Sequence, residues 1–198
     1  MRTAAPPLLP LFRSRAQARL LARLFLHPDE QVSLNELARR LELDPATVQR
    51  EANRLEDAGI VRSERIGRAR VLTPNQQSPF HPELASLIFK AFGPVPVLRD
   101  RLADLANVEQ AFIYGSWAQR YTGEPGPPPA DIDLLIIGKP DRRDLARLCR
   151  EAAAELGLEI NPTVLDHTDW EADATAFVRS IKTQPLIPLT DKANNGRS

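Results

Sequence analysis

Cys149 is the only cysteine in the 198-residue chain, which excludes an intrachain disulfide and any cysteine-rich zinc site. Leu145, Leu148 and Ala152 surround it at helical spacing, so the thiol is expected on the buried face of a helix, with no chemical role. Histidine is nearly as scarce. His27 and His81 stand before prolines at segment ends, His167 stands alone, and no metal-ligand spacing links them. No apolar run approaches the roughly 20 residues that cross a bilayer. Pro6, Pro7 and Pro10 break the N-terminal segment before a signal-like helix can form, so the expected address is the cytoplasm, with no membrane partner.

An excess of one charge is also missing, since 26 Lys and Arg balance 26 Asp and Glu. The balance hides an asymmetry. Residues 1–80 carry 13 Arg against 9 Asp and Glu, whereas residues 81–198 carry 13 Lys and Arg against 17 Asp and Glu. The basic half is basic through arginine alone, the side chain that forks onto phosphates and guanine edges. A chain of this length holds one ordinary domain or two small ones.

In the first half, Leu20, Leu21, Leu24 and Phe25 recur at helical spacing over residues 14–26. Ser33 and Glu36 have the spacing of a capping box ahead of Leu34, Leu37, Ala38 and Leu41. Asp44-Pro45 then pairs an N-cap with a first-turn proline and launches a third helix over 46–58, stopped by Gly59. Two short strands around Gly67 follow, carrying Arg62, Arg65, Arg68 and Arg70 against Glu64 alone. This order of elements describes a winged helix-turn-helix, and residues 14–75 resemble ArsR/MarR-like bacterial regulators. With Val48, Ala52 and Leu55 facing inward, Thr47, Gln49, Arg50 and Asn53 face outward. The resemblance implies that they read base edges of double-stranded DNA, while Arg65, Arg68 and Arg70 touch its backbone. A further amphipathic helix is expected over 83–92, and Phe12 to Phe25 and Leu84 to Phe92 are the candidates either for a homodimer seam or for packing on each other.

The second half holds an apolar strand over 108–114, then Gly115-Ser116, a loop over 122–130 with four prolines expected to overhang the site, and a strand starting Asp131-Ile132-Asp133. Alternate residues of a strand share a face, so Asp131 and Asp133 present two hard oxygen ligands together, as Mg²⁺ chemistry on phosphates requires. Gly115 admits close backbone approach to a phosphate, and Ser116 opens a short helix whose free N–H groups favour anions. Residues 95–190 resemble the minimal nucleotidyltransferases of the DNA polymerase beta superfamily. That resemblance implies Mg²⁺ held by Asp131 and Asp133, an NTP on Gly115 and Ser116, and a third carboxylate on the strand over 158–165. Asn161 falls at the third position. Its amide brings no charge and cannot act as a general base; Glu159, two residues away, shares its face, and Asp166 points to the opposite one.

The chain therefore reads as an α/β (α+β) protein of two domains: a winged helix-turn-helix over 1–80, a helical linker over 81–96, a small mixed-sheet nucleotidyltransferase-like domain over 97–190, and a disordered tail over 191–198. The leading expectation is a transcriptional regulator that binds DNA and senses NTP–Mg²⁺ or modifies a partner. The alternatives are an active nucleotidyltransferase acting on a protein, small molecule or RNA, and an antitoxin-like protein that pairs with a toxin.

Overall fold

Ser14 opens the first helix by accepting a hydrogen bond from the Gln17 amide at 3.1 Å, and α1 (Arg15–Leu26) buries Leu20, Leu21, Leu24 and Phe25 along one stripe. The computed structural model describes residues 12–127 and 129–190, so the tail expected over 191–198 lies outside them. The chain divides into two units, Met1–Gly93 and Pro94–Ser198.

In the first unit, Ser33 caps α2 (Leu34–Arg40) through the Glu36 amide at 3.2 Å. The Glu36 carboxylate accepts from Arg39 and Arg40, and those guanidinium groups hold its carboxyl down to about 2. Asp44 caps α3 (Pro45–Asp57) through the Thr47 amide at 2.9 Å, with Pro45 in the first turn, and Gly59 adopts φ +68° just past the end. Strands β2 (Val61–Ile66) and β3 (Ala69–Pro74) then form an antiparallel hairpin about Gly67, whose φ is +61°. A two-residue strand, β1 (Val32–Ser33), adds to the other edge of β3, giving the order β1-β3-β2. It was not expected from the sequence.

The residues read as a helical linker over 81–96 do two different jobs. α4 (His81–Phe92) belongs to the first unit, where Ile88 is fully buried in the same core as Leu20, Leu37, Ala52 and Leu72. Phe12 and Phe92 meet edge-on at 5.3 Å, and Phe25 stacks on His81 at 5.5 Å, so α1 and α4 pack on each other. Pro94 begins α5 (Pro94–Leu102) of the second unit, earlier than the expected start at Val97.

The second unit is built on a four-stranded mixed sheet ordered β6-β5-β4-β7. β4 (Val108–Tyr114) runs into α6 (Gly115–Thr122) and pairs antiparallel with β5 (Asp131–Gly138). α7 (Arg142–Leu156), capped by Asp141, crosses over to β6 (Glu159–Leu165), which lies parallel to β5. Ile132, Leu134, Leu135, Ile136 and Ile137 are fully buried, as a central strand covered on both faces requires. Two short helices follow, α8 (His167–Glu171) and α9 (Ala176–Lys182); between them Asp173 adopts φ +50° and Lys182 anchors the turn through the Trp170 carbonyl and the Asp173 carboxylate, both at 2.5 Å. β7 (Ile187–Pro188) closes the edge beside β4, where a proline costs no ladder bond on the solvent side. No helix among the described residues is long and apolar enough to cross a membrane.

Because Ile88 sits among core residues of α1, α2 and α3, Ile88→Ala is expected to lower the unfolding free energy of the first unit by about 2–5 kcal/mol. Urea unfolding of the whole chain followed by circular dichroism checks this; an unchanged transition would mean that α4 is only an appendage.

Candidate functional sites

On α3 the core face is Val48, Ala52 and Leu55, all buried, together with Glu51, which is buried but accepts from Arg54 at 3.0 Å. That face fixes the roll of the helix. Gln49, Arg50 and Asn53 are consequently exposed and Thr47 is half-buried beside them. They are not independent groups. The Thr47 hydroxyl bonds the Asp44 carboxylate at 3.2 Å and accepts from Arg50 at 2.9 Å, while Gln49 Nε2 donates to Asn53 Oδ1 at 3.1 Å.

The wing arginines divide into two kinds. Arg65 and Arg68 are exposed at the hairpin end, on either side of Ile66 and Gly67. Arg70, opposite Arg65 in the ladder, turns back toward α3, where it donates to Asn53 Oδ1 at 2.6 Å and Glu56 Oε2 at 2.5 Å. Glu56 also receives the Ser63 hydroxyl and, at 3.2 Å, the Ser63 amide. Bonding from Ser63, then from Arg70, holds the Glu56 carboxyl below its ordinary range against the opposing effect of partial burial. The sequence placed all three arginines on a DNA backbone; it held no signal that Arg70 has partners within the chain.

In the second unit the register of the sheet gathers the other predicted residues. Asp131 pairs with Glu159 and Asp133 with Asn161 across β5 and β6, while Tyr114 of β4 lies on the other side of Asp133. Partners in register share a face, so Tyr114, Asp131, Asp133, Glu159 and Asn161 all lie on one side of the sheet. Farther along the same face Leu135, Ile137, Phe112 and Leu165 pack under Trp170, Val178 and Ile181. Asp131, Asp133, Glu159 and Asn161 lie outside that apolar cluster, and Tyr114 stands at the boundary between the two.

Gly115 abuts this cluster. Its φ is +67°, and a Cβ there would lie 2.5 Å from Asp133 Oδ2. Desolvation first, and the neighbouring Asp131 charge second, raise the Asp133 carboxyl above its usual range. Asn161 Nδ2 donates to Asp131 Oδ2 at 2.9 Å, which ties the amide to the acidic pair and leaves Oδ1 as its ligating atom. Glu159 is exposed on β6 at the sheet edge. Ser116, half-buried, is the second residue of α6. Among the described residues no cluster of three or more Asp, Glu, His or Cys is arranged to hold a metal ion, so the acidic pair stands as two carboxylates and an amide.

Three residues on this face escaped the sequence reading. The Tyr114 hydroxyl and Thr163 Oγ1 are 3.3 Å apart, and Phe177 of α9 meets the Tyr114 ring edge-on at 6.2 Å. Strand parity from Asp133 and Asn161 was the available signal for Tyr114 and Thr163; nothing local marked Phe177. The near end of the proline loop is bonded to its own helix, where Arg120 donates to the carbonyls of Glu124, at 2.5 Å, and Pro125. His167 is remote from the cluster, beyond the opposite end of β6, where it meets Glu109 at 2.9 Å.

Gly115→Ala is expected to cost about 1–2 kcal/mol, because an alanine is strained in the left-handed region, and to push the Asp133 carboxylate aside. Chemical denaturation measures the first effect; an Asp133 titration followed by carboxyl NMR, unchanged from the parent, would contradict the second.

Residues 13–70 match the MarR family. Among solved structures, reduced HlyU from Vibrio cholerae is similar, with 20% identity, 43% of this chain and 84% of that chain covered, and a TM-score of 0.34. No curated protein matches the chain significantly. The family match spans α1, β1, α2, α3, β2 and the start of β3, and it ends before α4 and the second unit.

Proposed function

We propose that this chain is a DNA-binding transcriptional regulator whose second unit binds a nucleoside triphosphate with Mg²⁺. One observation carries the first part: the MarR-family segment exposes Gln49, Arg50 and Asn53 on a single face of α3, beside a wing tipped by Arg65 and Arg68. α3 enters the major groove, where these side chains meet base edges, and the wing arginines neutralise phosphates of the adjoining backbone. A homodimer would present two such helices to two half-sites, and it belongs to the same proposal.

Each phosphate that an arginine neutralises releases counterions, so binding weakens steeply as salt rises. Arg65→Ala and Arg68→Ala are each expected to reduce the slope of log K against log salt by about 1 per subunit, measured by fluorescence anisotropy on duplex DNA. Unchanged slopes in both variants would remove the wing from the interface.

For the second part the residues fit the ion. Two carboxylates forced together, one of them desolvated, repel each other, and a divalent cation relieves that cost. Mg²⁺ is commonly held by one or two carboxylates with phosphate oxygens completing its shell. Asp131 and Asp133 would hold it, and it would supply charge neutralisation to a triphosphate whose oxygens approach Gly115 and the first N–H groups of α6. Asn161 favours binding over turnover, because an amide bonded to Asp131 cannot take the proton of an attacking hydroxyl.

Calorimetric titration with ATP, CTP, GTP and UTP is expected to show Mg²⁺-dependent binding that Asp131→Asn and Asp133→Asn abolish. Binding insensitive to both substitutions would reject the site. Label transfer from an NTP that depends on Asp131 would move the assignment from sensor to nucleotidyltransferase.

A further inference from the structure

Asn53 Oδ1 has two lone pairs, and both face donors of the protein: Arg70 Nη1 at 2.6 Å and Gln49 Nε2 at 3.1 Å. This pair of donors fixes the amide's orientation, since the flipped rotamer would set Nδ2 against two N–H groups. The exposed edge of Asn53 is therefore its Nδ2, which offers donors only. Arg70 is held in turn by Glu56, and Glu56 by the Ser63 hydroxyl and amide, so the chain of bonds runs from the groove-facing surface of α3 into the wing.

We infer that Arg70 is a positioning residue which sets the hydrogen-bonding polarity of Asn53, so that this position of α3 selects an acceptor edge in the major groove. The inference rests on the reading of α3 as the groove-entering helix. An asparagine whose two amide atoms are both free pairs bidentately with adenine, accepting from N6 and donating to N7. With Oδ1 occupied that pairing is lost, and the adenine amino group meets a donor. Guanine, with N7 and O6, and thymine, with O4, offer acceptors instead. Arg70 donates to Glu56 and Asn53, so in this reading its charge is spent within the protein and not on phosphate, unlike that of its ladder partner Arg65, which is exposed.

The test is selection of duplexes from a randomised pool by the full chain, by Arg70→Ala and by Arg70→Met, followed by anisotropy titration of the enriched sequences against salt. Arg70→Met retains the apolar stem that packs the wing, which guards against a variant that merely fails to fold. The parent is expected to enrich guanine or thymine at one position of each half-site. Both variants should lose about tenfold in discrimination at that position and shift it toward adenine, with an unchanged salt slope. A slope reduced by about 1 per subunit with base preference unaltered would show Arg70 to be a phosphate contact and overturn the inference. A uniform loss of affinity across all sequences would reduce Arg70 to a structural role and overturn it too. If the parent enriches no sequence at all, the DNA-binding reading falls first, and this inference falls with it.

Discussion

The roll of α3 about its own axis is the constraint on which the first unit depends. Val48, Ala52 and Leu55 must face α1, α2 and the sheet, and a helix has only one other side. Once those three are buried, Gln49, Arg50 and Asn53 have no choice but to face outward. The cap at Asp44 and the left-handed Gly59 fix where that helix begins and ends, so the register of the exposed residues is set at both termini. Glu56 and Arg70 then lock the wing onto the end of the same helix, which makes the hairpin and α3 one surface.

In the second unit sheet register plays the corresponding part. Parallel pairing of β5 with β6 brings Asn161 opposite Asp133, antiparallel pairing with β4 brings Tyr114 to its other side, and the turn at Gly115 returns the backbone to the Asp133 carboxylate. A slip of one residue would send the whole polar set to the opposite face. The apolar half of the same face, under Trp170, Val178 and Ile181, resists such a slip by burying Leu135 and Ile137.

Local chemistry made most of the first unit legible. Ser33 and Asp44 each announce a helix, Gly59 and Gly67 each announce a turn, and the structure uses all four in those ways. What the sequence could not carry was partnership. Residues 83–92 showed helical periodicity, but only the fold reveals that Ile88 belongs to the winged-helix core. β1 is two residues long and has no pattern of its own; it exists because β3 offers an unpaired edge. The break after α8 sits at Asp173, a residue with no helix-stopping signature as strong as glycine or proline. At the sites, strand parity placed Asp131, Asp133 and Asn161 on one face, whereas the bond from Asn161 to Asp131 and the retreat of Arg70 from solvent depend on distances that no spacing encodes.

Whether the exposed face of α3 reads DNA sequence, as proposed, is decided by selecting duplexes from a randomised pool with the doubly substituted chain Gln49→Ala/Asn53→Ala. This chain is expected to bind DNA in a salt-dependent manner through its wing but to enrich no consensus, because phosphate contacts position and base contacts specify. Enrichment of the same consensus as the parent chain would contradict it.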